Sequence, residues 1–163
     1  MLAGGRVTAL ARHRWAPLVA TVALYALLVL VKRGGLLSEE QFGDVHLYND
    51  FGRAVMDGHA PYRDFFVEYP PGAMPGFILP AAIDEQHYHF WFKLLIALVG
   101  VGGLIAVDAT LASLAASVRR RWAALGLAAF MPLFIGPVFL HTYDLLPAVL
   151  VVGSAVTDSR RPP

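Results

Sequence analysis

Asp44 is the residue of this chain whose type and surroundings best suit chemistry. It lies at the start of a polar and aromatic stretch, residues 43–72, in an otherwise apolar chain: GDVHLYNDFGRAVMDGHAPYRDFFVEYPPG. A carboxylate there can act as a general base, removing the proton from a hydroxyl as that hydroxyl attacks another molecule. Asp44 could instead cap a surface helix over residues 45–57, and the pattern alone favours neither role.

The same stretch carries cations and aromatic rings. Negative charge that develops on a departing phosphate needs cations or hydrogen-bond donors, and those available are Arg53, Arg63, His46 and His59. Solvated, charge-balancing roles fit the two arginines equally well. Four aromatic side chains could stack on a sugar or lie at the level of lipid headgroups: Tyr62, Phe65, Phe66 and Tyr69.

The composition argues against several other kinds of site. The chain has no cysteine, which excludes disulfides and thiolate metal ligands, and its net charge of +1 gives no basis for a nucleic-acid partner. Two metal sites can be drawn, one from Asp44, His46, Asp50 and His59 and one from His87 and His89. Neither has a recognised ligand spacing, so we expect no metal and no cofactor.

The elements that must position this stretch are predicted to be membrane helices. Of the 163 residues 57% are hydrophobic and only 15% are charged, which is typical of an integral membrane protein. The apolar runs predict an all-α, polytopic fold in one membrane domain, 1–163, with four spans over residues 15–31, 90–118, 122–140 and 144–157. The first run, at roughly 17 residues, is at the lower limit for a span. A cleavable signal peptide is the alternative, disfavoured by Lys32 and Arg33 directly after the run.

Two features inside these apolar regions stand out. Residues 72–83 are apolar but too short for a span, which predicts a re-entrant or interfacial segment. Asp108 lies within the second predicted span beside small residues, namely Gly103, Ala106, Thr110, Ser113 and Ser117. A carboxylate there invites a partner, so we expect Asp108 to bond across a helix interface, with a proton or ligand role as the alternative.

The placement of charge predicts the orientation. Cytoplasmic flanks of membrane helices are rich in Lys and Arg, and the basic clusters here are Arg6, Arg12 and Arg14, then residues 119–121, then Arg160 and Arg161. Putting these inside leaves residues 34–89, with most of the acidic side chains, outside. We therefore expect a multi-pass plasma-membrane protein with a cytoplasmic N-terminus. His141 and Asp144 fall on the same side as Asp44, either forming a hydrogen-bonded turn or contributing to catalysis or phosphate binding.

The order of motifs resembles a known family. Asp44 followed by Tyr48, G-x-x-P-Y at Gly58–Tyr62, and Tyr69-Pro70-Pro71 resemble the first outer loop of GT-C type membrane glycosyltransferases. The likeness is to glycosyltransferase family 87, the mannosyl- and arabinofuranosyltransferase-like proteins common in actinobacteria. A later segment, YDLLPAV at residues 143–149, also resembles that family.

The resemblance implies an activity. Asp44 matches the loop aspartate taken as catalytic, and the family moves a sugar from a polyprenyl phosphate to a lipid-linked or glycan acceptor at the outer face of the plasma membrane. The substrate contacts we expect are Tyr48, Arg53, Tyr62, Arg63, Tyr69, His141 and Asp144.

Length is where the chain departs from the family. Family members continue through many more spans, so we expect this chain to be a truncated member that keeps only part of the donor site. The alternative is a non-catalytic membrane fragment, or a subunit of a larger glycosyltransferase in a second chain. An outer-loop transporter or sensor is a third hypothesis, resting on Asp108 and the acidic loop.

Overall fold

The fold is known from a computed structural model that describes residues 3–31, 43–135 and 138–158. These residues are mostly helical and contain no strand, which confirms the prediction of an all-α chain. Predicted features at residues 34–42, at Lys32 and Arg33, and at Arg160 and Arg161 lie outside the described residues. The helices are α1 (Ala3–Val31), α2 (Val45–Met56), α3 (Met74–Ile83), α4 (Tyr88–Ser113), α5 (Val118–Ile135), α6 (Val138–His141) and α7 (Leu145–Asp158).

Within the described residues, α4 is the one helix with both the length and the apolar composition to cross a membrane. Shorter apolar helical stretches cover Trp15–Leu30, Pro71–Ile83 and Leu145–Ser154. The apolar segment after the Tyr-Pro-Pro turn, residues 72–83, is helical: a 3-10 turn, Pro71–Ala73, leads directly into α3.

Several helix boundaries differ from those predicted. The helix expected over 90–118 ends at Ser113, because Ala115 adopts a left-handed conformation (φ 51°) and the Ala116 amide bonds back to the Leu111 carbonyl. Consequently α5 begins at Val118 and includes the three arginines in its first turn. The helix expected over 122–140 is divided into α5 and α6, with residues 136 and 137 between them outside the description.

Close backbone approaches determine how the helices pack. A Cβ added at Gly52 of α2 would lie 2.7 Å from the Phe77 carbonyl oxygen of α3, and one at Gly103 of α4 would lie 2.8 Å from the Val149 Cγ2 of α7. Gly43 likewise leaves room only for His141 beside it. The start of α2 is therefore held against the end of α6, far along the chain.

The helix termini lie at two opposite ends of the molecule. One cleft is lined by residues from three helices: Trp15 in the first half of α1, Ser113 at the end of α4 and Arg121 at the start of α5. At the other end, Gly43 contacts His141. Helices α1 and α4 therefore run antiparallel, and α2, α3 and the turn before α7 share the end remote from the arginines.

A buried ion pair joins α4 to α5. The Arg121 guanidinium donates from Nε to Asp108 Oδ1 and from Nη2 to Oδ2, both at 2.7 Å, and both side chains are buried. The prediction that Asp108 bonds across a helix interface is confirmed. Its neighbours Thr110 and Ser113 bond instead to backbone carbonyls of their own helix, so Arg121 alone neutralises the carboxylate among the described residues.

We predict that Asp108→Asn lowers the free energy of unfolding by about 3–5 kcal/mol, because it leaves the Arg121 guanidinium buried without a counter-charge. The double variant Asp108→Leu with Arg121→Met, which removes both charges and keeps apolar bulk, should recover most of that loss. Chemical or thermal unfolding of the purified proteins measures both. A double variant no more stable than Asp108→Asn would contradict this account.

Candidate functional site

Asp44 stands at the exposed start of α2 with its carboxylate tied to two tyrosines. Its Oδ2 accepts a hydrogen bond from the Tyr69 hydroxyl at 3.0 Å and a longer one from the Tyr48 hydroxyl at 3.5 Å. Asp44 occupies the N-cap position, yet its side chain caps no backbone amide. The helix-capping role considered for this carboxylate is therefore wrong, and its partners are side chains instead.

Local structure explains why these two tyrosines reach Asp44. Tyr48 follows Asp44 by four residues, so one turn of α2 places both side chains on the same side. Tyr69 precedes Pro70, and a residue before proline is pushed towards extended backbone. Pro70 itself is extended (φ −66°, ψ 154°) before the turn that starts α3. The Tyr-Pro-Pro segment thus returns the chain to the start of α2, where the two phenol oxygens lie 3.4 Å apart.

A cluster of aromatic rings fixes both tyrosines. The Tyr48 ring stacks on Phe77 of α3 with centroids 4.4 Å apart and lies 5.1 Å from Phe92 of α4. Tyr69 meets Phe77 at 5.3 Å and Tyr143 at 5.5 Å, both edge to face. Such pairs contribute about 0.5–1.5 kcal/mol each beyond area burial. The phenols are therefore held by α3, α4 and the turn before α7, and little freedom remains for the hydroxyls.

The tyrosines remain hydrogen-bond donors over the physiological pH range. Burial raises the pKa of the Tyr48 phenol, and its hydrogen bond with Tyr69 raises that pKa further. Burial also raises the pKa of Tyr69, with the negative charge of Asp44 adding to the effect. The Tyr69 phenol donates to Asp44 Oδ2, and the single Tyr48 proton is shared between that oxygen at 3.5 Å and the Tyr69 oxygen at 3.4 Å, whereas Oδ1 accepts no hydrogen bond from any described residue. Among the described residues, hydrogen bonds hold one carboxylate oxygen of the exposed Asp44 and leave the other unbonded.

The predicted cationic contacts do not converge on Asp44. The Arg53 Nε forms an ion pair with Glu85 Oε1 at 2.7 Å, and both side chains are about half exposed. Arg63 pairs with its neighbour Asp64 through two bonds of 2.8 Å. Exposed pairs of this kind contribute little to stability because water screens them, so each arginine can exchange its carboxylate for another anion at small cost.

The remaining predicted contacts lie around the same end of the molecule. Tyr62 donates its hydroxyl hydrogen bond to the Tyr69 carbonyl at 2.7 Å. His141 is buried at the end of α6 against Gly43, and Asp144 is exposed just before α7. Between them lies Tyr143, whose backbone N–H donates to the Tyr48 hydroxyl at 3.4 Å.

Tyr143, Phe77 and Phe92 are members of the cluster that the sequence did not assign to the site. The signal available for Tyr143 was its position at the start of YDLLPAV, which resembles a segment of the same family as the Asp44 loop. Phe77 lay inside an apolar segment interpreted by its length alone. Its role depends on α3 folding back onto α2 at Gly52, which no local pattern reveals.

In the described part of the chain no three His, Asp or Glu side chains are grouped as metal ligands. The two histidines nearest to such an arrangement, His46 and His89, contact each other edge to face with centroids 4.6 Å apart. No family model, no curated protein and no solved structure matches the chain.

We predict that Tyr69→Phe lowers the free energy of unfolding by about 1 kcal/mol, since it keeps the ring and removes the bond to Asp44. Tyr143→Phe is the matched control: its hydroxyl bonds to no described residue, so it should be nearly neutral. Unfolding of both variants in an Asp44→Ala background, which removes the acceptor oxygen, shows whether the Tyr69 effect depends on Asp44. An effect of Tyr69→Phe that is unchanged in that background would contradict the assigned contact.

A second prediction concerns Asp64 and low pH. The Arg63 guanidinium and the Ala60 amide lower the pKa of Asp64 to about 2, below the value of roughly 3.9 in an unfolded chain. The contribution of these bonds to stability is therefore complete above about pH 4 and is lost as pH falls towards the folded pKa. Carboxyl-carbon NMR should show the depressed midpoint, and Arg63→Gln should move it upward; an unchanged midpoint would exclude the ion pair as its cause.

Proposed function

We propose that the chain is a multi-pass membrane protein in the plasma membrane with its N-terminus in the cytoplasm. The spans would be α1, α4, α5 with α6, and α7, while α2 and α3 would lie at the outer surface. Two observations support this topology. Large apolar side chains are exposed on α5 and α7, including Phe130, Phe134, Leu150 and Val151, and the exposed Arg119 and Arg120 lie at the end remote from Asp44.

We further propose that the chain acts as a glycosyltransferase of the GT-C type. It would move a hexosyl or pentosyl unit, with mannose the leading case, from a polyprenyl-phosphate donor to a lipid-linked or glycan acceptor at the outer membrane face. The observation that carries this proposal is the Asp44 carboxylate, exposed at the start of α2 with Oδ2 held by two neutral phenols. A base needs this combination of a fixed orientation and an open oxygen.

In the proposed reaction Asp44 Oδ1 takes the proton of an acceptor hydroxyl. The hydroxyl oxygen bonds to the anomeric carbon of the donor sugar while the bond from that carbon to the phosphate oxygen breaks, and polyprenyl phosphate leaves with the electron pair. Attack from the face opposite the phosphate inverts the anomeric configuration. Tyr48 and Tyr69 take no part in proton transfer; they hold the carboxylate.

Charge on the leaving phosphate would be neutralised by an arginine of the same loop. Arg53 and Arg63 are both exposed and both bonded to exposed carboxylates. A phosphate accepts the same paired N–H bonds from a guanidinium as a carboxylate does. Exchange of Glu85 for the donor phosphate at Arg53 would supply the electrostatic stabilisation that this type of transfer requires.

We predict that Asp44→Asn reduces the rate of sugar transfer by about 10²–10⁴-fold, because the amide cannot accept the proton. Membranes containing the chain, supplied with labelled polyprenyl-phosphate mannose and an acceptor extract, provide the assay. Asp50→Asn, the same change at an exposed position of the same helix, should leave the rate unchanged. Transfer by Asp44→Asn at the wild-type rate would refute the catalytic assignment.

A non-catalytic subunit of a larger membrane glycosyltransferase is the second candidate. It is favoured by the aromatic side chains that α5 exposes, Phe130 and Phe134, which could pack on a second membrane chain as readily as on lipid. Crosslinking from position 134 distinguishes a subunit from a chain that contacts only lipid at this surface. Adducts to a second protein would support the subunit, and lipid adducts alone would exclude it.

A further inference from the structure

The segment between α2 and the Tyr-Pro-Pro turn forms an open cleft that the reaction above does not use. Its volume is about 510 Å³. We call it the loop cleft, and its lining residues are Tyr62, Arg63, Asp64, Phe65, Phe66 and Val67.

The walls of the loop cleft are held in place by hydrogen bonds. The Tyr62 amide donates to the Phe65 carbonyl at 3.0 Å, and the Ala60 amide donates to Asp64 Oδ2 at 2.8 Å. Tyr62 is held in the left-handed region (φ 65°), a conformation that costs a non-glycine residue roughly 1–2 kcal/mol. The rest of the loop therefore imposes the orientation of the Tyr62 ring, whose hydroxyl is fixed on the Tyr69 carbonyl.

The chemistry of the lining combines exposed aromatic faces with paired charges. Phe66 is 82% exposed and Tyr62 is 47% exposed, although neither is a residue type that favours water. The Arg63–Asp64 pair lies in the same cleft. A sugar ring matches both parts of this lining, since its C–H face packs on an aromatic ring and its hydroxyls bond with carboxylate and guanidinium groups.

A lipid surface matches the lining less well. The ion pair in the cleft would have to leave water to follow Phe66 into an acyl layer, which is costly for charged groups. Asp57, Glu68 and Asp64 outnumber the one arginine of this segment, so an anionic headgroup would meet repulsion. A neutral glycan avoids both penalties.

We propose that the loop cleft is an acceptor subsite that binds a neutral sugar ring of the glycan to be extended. The subsite rests on the proposed transfer reaction for its biological role. Its position suits that role, because Tyr62 bonds to the Tyr69 carbonyl and the Tyr69 hydroxyl bonds to Asp44. A glycan seated on Phe66 and Tyr62 would extend towards the open oxygen of the base.

Binding of a soluble mannose oligosaccharide to the full chain, followed by saturation-transfer NMR, tests this subsite without any need for turnover. Phe66→Ala should weaken binding by about threefold to tenfold, in line with the loss of one ring contact. Phe66→Trp should retain binding. Phe134→Ala is the matched control, since Phe134 is 76% exposed on α5, outside the cleft, and its removal should change nothing.

A second variant tests Tyr62, the other exposed aromatic residue of the loop cleft. Tyr62→Gly removes the ring and leaves a residue that adopts positive φ without strain, so binding should weaken while the chain stays folded. Equal binding by wild type, Phe66→Ala and Tyr62→Gly would overturn the proposal. Crosslinking of position 66 to lipid alone, with sugar binding unchanged in Phe66→Ala, would also overturn it and assign the loop to the membrane surface.

The subsite and the catalytic proposal can fail separately. Asp44→Asn should bind the oligosaccharide as the wild type does, because Asp44 is outside the cleft lining. If Asp44→Asn transferred sugar at the wild-type rate while Phe66→Ala lost the oligosaccharide, the subsite would stand and the base would be another residue. If Asp44→Asn lost sugar transfer while Phe66→Ala bound the oligosaccharide as the wild type does, the subsite would be refuted and Asp44 would stand as the base.

Discussion

The contact between the Tyr48 and Phe77 rings is the interaction on which the rest of this end of the molecule depends. The two rings stack at 4.4 Å, and Tyr48, only 1% exposed, also meets Phe92 of α4. Through that pair α2, α3 and α4 share one aromatic core, and Tyr143 adds the turn before α7. The Tyr48 ring is thus part of the core, whereas its hydroxyl is part of the site around Asp44. The position of the Asp44 carboxylate follows from the packing of an apolar core.

Much of this arrangement was visible in the sequence, and the parts that were not have a common cause. The surface helix predicted over residues 45–57 and the Tyr-Pro-Pro motif are local patterns, and α2 and the turn before α3 lie at those positions. The partners of Asp44, by contrast, include a residue 25 positions away, and Tyr143 reaches Tyr48 across 95 positions. Such pairings depend on how helices fold back on each other, which single-residue spacing does not encode.

The charged residues also show that local sequence patterns indicate what a side chain can bind but not which partner it has. The sequence grouped Arg53 and Arg63 with phosphate recognition because they lie in the polar loop, whereas each has a carboxylate partner, Glu85 and Asp64. Arg121 was interpreted as one of three flanking charges, yet it turns inward to Asp108 while Arg119 and Arg120 stay exposed. Residue type indicates what a charge is able to bind; only the packing of α4 on α5 decides which of three consecutive arginines is buried.

That inward turn has a consequence for biosynthesis in a chain that crosses the membrane. In the topology proposed above, α4 leaves the ribosome before Asp108 has a counter-charge, and a lone carboxylate at the centre of a span is disfavoured by about 2.5–3.5 kcal/mol. Its counter-charge arrives only with the first turn of α5, 13 residues later. The short connection after Ser113 lets the guanidinium reach back to the carboxylate while both helices are still beside the insertion machinery. The unit that enters the lipid would then be a pre-neutralised α4–α5 hairpin, and a longer linker between the two helices would expose α4 to rejection.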